Sequence, residues 1–310
     1  MKKQKAIKRR TCGAMAVHHR LLELDPKFRM RQAQLENATA MRMSLGVRAL
    51  RKAAPITIPV VVHVVYKTPA ENISTAQIKS QIKVLNKDYR AKNADKSKVP
   101  PVWKGIVADV GIQFALASKD PKGKPTTGIT RAKTPRTSFD TDDSVKSSAT
   151  GGVNAWPADK YLNVWVCTLA NGILGYAQFP GGPKKTDGVV ILNTAFGTVG
   201  TAGAPFNRGR TTTHEVGHWL NLRHIWADTE DCSGTDFVAD TPNAAGPNYG
   251  KPKFPHVTCN NGPSGDMFVN YMDYVDDDSM FMFTTQQVVR MQSAMSGPRK
   301  KIGKSQGART

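Results

Sequence analysis

Thr213-His214-Glu215-Val216-Gly217-His218-Trp219-Leu220-Asn221-Leu222-Arg223-His224 decides the reading of this 310-residue chain. On a helix, residues four apart lie one turn apart on one face, so His214 and His218 can present two imidazoles to one ion. Glu215 follows His214 directly and stands beside that ion rather than on it, placed to take a proton from an attacking water. His224 lies ten residues after His214, too far round a straight helix to reach the same point. The helix must end and the chain turn back near Asn221, one of the few non-glycine residues that tolerate the left-handed conformation. Three neutral imidazoles on a zinc ion leave the fourth position open, which is the catalytic arrangement rather than the structural one. The chain holds only seven histidines, so ordinary helix composition explains this spacing poorly.

Downstream, Asn270-Tyr271-Met272-Asp273-Tyr274 adds a second element. Alone it reads as core packing. After a three-histidine motif, Met272 can floor the imidazoles and the Tyr274 hydroxyl can reach a reacting carbonyl.

Upstream, Ile56-Thr57-Ile58-Pro59-Val60-Val61-Val62-His63-Val64-Val65-Tyr66 is dense in β-branched residues and predicts a buried strand. A helix follows, capped at Ser74 or Thr75, with Ile78, Ile82, Leu85 and Tyr89 on one face. Shorter strands are expected at 112–118, 162–169 and 188–192, and one more inside the loop-like segment 120–152. The zinc helix is expected over 211–222. Residues 227–266, full of Asp, Asn, Gly and Pro, predict irregular structure. A last helix starts near Thr284, with Gln287 completing a capping box. Residues 1–53 form a separate segment with helical stretches at 18–24 and 26–40. The whole predicts an α/β (α+β) chain whose two subdomains flank a cleft.

Charge is unevenly spread. The net charge is +20, of which +11 lies in residues 1–52 and +5 in 299–310, leaving +4 for the middle. A nucleic-acid binder would carry its basic face on folded elements, so none is expected here. With 39% hydrophobic residues a real core is available, and no apolar run is long enough to span a membrane. Met1-Lys2-Lys3 looks like the start of an export leader, but no apolar region follows before Cys12, so no ordinary signal peptide is expected.

HEVGHWLNLRHIW together with NYMDY resembles the metzincin zinc metalloproteases, specifically the pappalysin family. Arg10-Thr11-Cys12-Gly13, Tyr161–Cys167, Leu174–Gly181, Asp240-Thr241-Pro242 and Phe283–Gln287 carry the resemblance across most of the chain. It implies a twisted mixed sheet with helices over an irregular C-terminal subdomain. The implied organisation is a pro-segment at 1–53, a catalytic domain at 54–298 (upper part 54–224, lower part 225–298) and a basic tail at 299–310. By resemblance, His214, His218 and His224 bind zinc, Glu215 is general base and then acid, Tyr274 steadies the tetrahedral intermediate, and Met272 is the Met-turn methionine. Gly175, Tyr176 and Ala177 would form the edge strand that pairs with an extended substrate. Asp276, Asp277 and Asp278 follow the Met-turn where the primed-side pocket is shaped, and Asp278 is the expected carboxylate favouring a basic residue after the scissile bond.

The resemblance also implies that Cys12 is a cysteine switch occupying the open zinc position in a latent zymogen. Arg48, Arg51 and Lys52 then offer activation sites, with Leu50–Arg51 a candidate for self-cleavage. Cys232 and Cys259 match one family disulfide, Ser279 stands where a second would need a cysteine, and Cys167 reads as a buried thiol. Calcium is expected among Asp228, Asp231, Asp236, Asp240 and Thr241, with Asp236, Asp240 and Thr241 favoured. Asn221 departs from the family's usual glycine. The function implied is a secreted, monomeric zinc endopeptidase acting on protein or peptide substrates. The rivals are a silent zinc-binding pseudo-protease and a protein whose basic ends bind polyanions.

Overall fold

The computed structural model describes residues 7–45, 54–305 and 307. The β-branched run forms strand β1 (Ile56–Tyr66), the spine of a mixed sheet with β2 (Ile112–Leu116), β3 (Ile129–Lys133), β4 (Leu162–Cys167), β5 (Gly175–Ala177) and β6 (Val189–Leu192). The order is β2-β1-β4-β6-β5, and β1 is long enough for two partners on one edge. Its residues 56–60 pair with β2 and 62–66 with β3, both parallel. β4 and β6 continue the parallel sheet, while β5 runs antiparallel to β6. One side of β5 therefore faces away from the sheet, and that free edge positions the cleft.

Six helices accompany the sheet among the described residues: α1 (Ala14–Leu24), α2 (Pro26–Ser44), α3 (Thr75–Asp88), α4 (Pro101–Lys104), α5 (Arg210–Trp219) and α6 (Thr285–Ser296). Ser74 caps α3 by accepting from the Gln77 amide at 3.1 Å, and the helix buries Ile78 and Leu85. Thr284 and Gln287 form the expected capping box on α6. Residues 227–266 contain no helix or strand. Several elements are shifted from expectation. α2 reaches Ser44, because it packs along α6 instead of fraying into solvent. α5 ends at Trp219 rather than 222, since the left-handed Asn221 (φ +78°) breaks it there.

The chain does not become a free basic tail at 299. Arg299 is buried, lies 3.7 Å over the Trp219 ring and grips both oxygens of Asp187 at 2.8 and 3.0 Å. Ile302 is buried too, and the Ser118 amide donates to the Gly307 carbonyl at 2.8 Å. Arg48, Arg51 and Lys52 lie outside the described residues.

Candidate active site

α5 presents His214 and His218 on one face, and the turn at Asn221 swings His224 back towards them. The three Nε2 atoms stand 3.1, 3.1 and 3.2 Å apart. Each ring is oriented by its other nitrogen: His214 Nδ1 donates to the Tyr271 carbonyl (2.8 Å), His218 Nδ1 to the Leu222 carbonyl (2.8 Å) and His224 Nδ1 to Asp228 Oδ1 (2.6 Å). With every Nδ1 proton committed outward, three Nε2 lone pairs converge on one point. Burial, reinforced by the neighbouring imidazoles, holds His214 and His218 well below the usual histidine range, so they are neutral. Buried lone pairs facing one another repel unless a cation sits between them. Nitrogens at ~2.0 Å from a tetrahedral zinc would be ~3.3 Å apart, close to the spacing found. The residues fit zinc.

Below the helix, Met272 is fully buried, and a side chain added at Gly217 would meet its sulfur at 2.5 Å. Gly217 is thus the notch through which the methionine approaches the imidazoles. The Tyr274 ring lies 4.9 Å from His224, which also stacks on Trp226 at 4.3 Å. Glu215 is buried under β5. A Cβ at Gly175 would lie 2.9 Å from Glu215 Cγ, so only glycine lets the edge strand pass so close. Burial pushes the Glu215 carboxyl up to about 8, against the hydrogen bond from Cys12 and the charge of Arg10.

Residues 10–13 occupy this cleft. Thr11 to Gly13 lie beside β5 in parallel register, with the Leu174 amide donating to the Thr11 carbonyl and the Gly13 amide to the Gly175 carbonyl, both at 2.9 Å. Cys12 Sγ and the three imidazoles all fall within 4.8 Å of one another. The thiol donates to Glu215 Oε2 at 3.4 Å, and the Cys12 amide donates to the Tyr274 hydroxyl at 3.2 Å. Burial and the Glu215 charge push the thiol well up, so a thiolate here requires a cation beside it.

Two residues earlier, Arg10 is 1% exposed. Its guanidinium meets Asp277 Oδ1 at 2.6 Å, Thr211 Oγ1 at 3.0 Å and the Val275 carbonyl at 3.3 and 3.4 Å. Asp278 is partly exposed and paired with Lys251 at 2.6 Å, whereas Asp277 is fully buried against Arg10. Asp277 Oδ2 accepts from the Arg208 amide at 2.7 Å and the Arg210 amide at 3.3 Å, which locks it at the start of α5. Asp228 Oδ1 accepts from His224 Nδ1. Asp236 accepts from the Val238 amide and from Thr241, and Asp240 from Thr284 and the Gln286 amide. Cys232 and Cys259 are joined, and Cys167 is a buried free thiol. Three consecutive aspartates are equivalent in the sequence, and the fold buries Asp277 against Arg10. Asp228 carried a usable signal, a carboxylate four residues after a ligand histidine.

A helix cut short by a left-handed turn, three converging imidazoles, a glutamate under an edge strand and a methionine floor define a zinc metallopeptidase of the metzincin class. The chain belongs to the pappalysin family: the family model described as pregnancy-associated plasma protein-A matches residues 125–296. Among solved structures, a promirolysin mutant from Tannerella forsythia superposes with a TM-score of 0.86 at 46% identity, covering 94% of this chain and 97% of that one. Mature mirolysin from the same organism, in complex with a cleaved peptide, gives 0.79 at 50% identity over 81% and 96%. An extracellular metalloprotease of Pyricularia oryzae is 33% identical over 292 residues, 91% of this chain and 87% of the relative. Extracellular metalloprotease 1 of Coccidioides posadasii is 32% identical over 299 residues, 92% and 88%. The chain is a metalloendopeptidase.

Proposed function

We propose that this peptidase is secreted as a precursor that its own residues 1–53 keep latent, and that once freed it cuts extended chains before a basic residue. The observation that carries this reading is Arg10, whose guanidinium is buried against Asp277 two residues from a cysteine facing the three imidazoles. A basic side chain of a substrate would use the same carboxylate.

In the freed enzyme, the open edge of β5 at Gly175, Tyr176 and Ala177 would bind the substrate backbone by strand addition. Asp277 would anchor the basic side chain and so set the scissile bond over the imidazoles. Bound zinc would polarise the scissile carbonyl and acidify the attacking water. Glu215 would take the proton of that water on its carboxylate and deliver it to the leaving amine. The Tyr274 hydroxyl, relieved of the Cys12 amide, would donate to the carbonyl oxygen as negative charge gathers there. The disulfide and the likeness to extracellular metalloproteases of Pyricularia oryzae and Coccidioides posadasii support secretion. Calcium at Asp236, Asp240 and Thr241 rests on the family resemblance. A rise in melting temperature on adding calcium to chelator-treated protein would support it, and no rise would remove it.

The test is cleavage of a peptide series differing only after the scissile bond, using the chain with and without residues 1–53. Arg and Lys peptides cut by the shortened form alone, and by neither Glu215→Ala nor chelated enzyme, are expected. Equal rates for Leu and Arg peptides would refute the role of Asp277, and equal rates for both chain lengths would refute the latch.

A further inference from the structure

α2 is held to the lower part of the molecule by a cluster that the zinc chemistry does not use. Glu36 sits in a fork: Arg290 Nη1 donates to Oε2 at 3.0 Å, Arg290 Nη2 to Oε1 at 2.8 Å, and Asn221 Nδ2 to Oε1 at 3.1 Å. Arg290 is 1% and Asn221 0% exposed. Burial alone would raise the Glu36 carboxyl, but Arg290 and Asn221 keep it below the usual range, so it is ionised. Arg223 and Arg290 lean over the same ring, Phe237, at 4.9 and 5.6 Å. Arg290 pairs with Glu36 directly, and Arg223 acts on it through its charge alone. The other acid near both, Asp236, is buried and bonded to Thr241 and the Val238 amide.

Asn221 occupies the position where the family usually has glycine. As asparagine it tolerates the left-handed backbone, and what it gains is an amide donor aimed at Glu36. Its carbonyl also accepts from Arg290 Nε and Nη2 at 3.3 and 3.2 Å. The guanidinium therefore remains aimed when Glu36 leaves. Arg290 lines a cavity of about 1020 Å³, one wall of which is α2 itself at Glu36, Asn37 and Ala40. Departure of α2 opens that cavity into a groove lined by Arg290, with Asn221 behind it and Asp236, already bonded to Thr241 and the Val238 amide, the nearest acid to Arg290 that remains.

We propose that Arg290 and Asn221, with Arg223 beside them, form a carboxylate-binding exosite, filled by Glu36 in the latent chain and by an acidic side chain of a protein substrate in the freed enzyme. This rests on the precursor reading, since the site opens only when residues 1–53 depart. An ionised side chain held by two to three charge-assisted hydrogen bonds and surrounded by cations suits an acidic segment and rejects a basic one.

The probe is labelled octaglutamate, with octaglutamine as control, and the protein is the full chain carrying Glu215→Ala, intact or cut by added trypsin within 46–53. Simple charge attraction predicts tighter binding to the intact form, because residues 1–52 carry +11. The exosite predicts the reverse: about tenfold tighter binding to the cut form, with severalfold loss in Asn221→Gly, a change the left-handed backbone accepts. Octaglutamate that binds the intact form as tightly as the cut one, or binds Asn221→Gly as well as the parent, overturns the proposal. Peptide cleavage by the cut chain with Glu215 intact reports separately on the protease reading.

Discussion

Replacing Arg10 with glutamine in the unprocessed chain isolates the part of latency that owes nothing to the thiol. The wild-type guanidinium makes a 2.6 Å ion pair with Asp277 between side chains 1% and 0% exposed, and three further hydrogen bonds to Thr211 and Val275. Removing one member of a buried pair costs about 3–5 kcal/mol, because the other charge is left uncompensated. Asp277 keeps the Arg208 and Arg210 amides on its second oxygen, so the lower end applies. At ~1.4 kcal/mol per tenfold, ~3 kcal/mol raises the undocked fraction about 100-fold. If activity follows that fraction, the Arg10→Gln precursor should cut an arginine-containing fluorogenic peptide about 100 times faster than the parent. The assay uses initial rates in a background where Arg48, Arg51 and Lys52 are alanine, with gels confirming an intact chain. Cys12→Ala in the same background reports the thiol's share. A precursor that stays as silent as the parent after Arg10→Gln, while Cys12→Ala becomes active, would refute the reasoning, because the ion pair would then contribute nothing to holding the segment down.

Asp228→Asn should lower zinc affinity by about 10–100-fold while leaving the fold intact, because Asp228 orients His224 through a 2.6 Å bond; competition with a chromophoric chelator measures it. His18 packs its ring 4.5 Å from Phe179, and burial, then Arg223 and His19, lower its pKa to about 4. It is neutral when docked but protonates below about 6.5 when released, so docking weakens as pH falls from there towards 4, by up to about tenfold per unit. Hydrogen exchange of α1 and α2, corrected for intrinsic rates, should show this slope, and His18→Phe should flatten it. Cleaving the Cys232–Cys259 crosslink by a double change to serine frees a loop of 27 residues' separation. That should cost about 3.5 kcal/mol on chain-entropy grounds, seen as a lower denaturation midpoint with zinc still bound.

What could be read without coordinates was whatever depends on local periodicity and chemistry. β1 follows from an unbroken β-branched run, α3 from a cap and a four-residue apolar face, and the α6 start from Thr284 and Gln287. The pairing of His214 with His218 comes from helix pitch, and the break at Asn221 from the need to return His224. These are short-range constraints, and each agrees with its neighbours.

The tertiary structure decided everything that depends on which distant groups meet. Nothing in Asp276-Asp277-Asp278 tells which side chain faces inward; the path of the chain after the Met-turn turns Asp277 to Arg10 and leaves Asp278 with Lys251. Arg299 looked like part of a basic tail, and only the position of Asp187 and Trp219 makes it a buried anchor. Asn221 looked like a tolerated strain, and only α2, brought back 185 residues in sequence, shows that its side chain has a partner. Charges and amides can be satisfied by many groups, and burial selects among them only after the chain has closed.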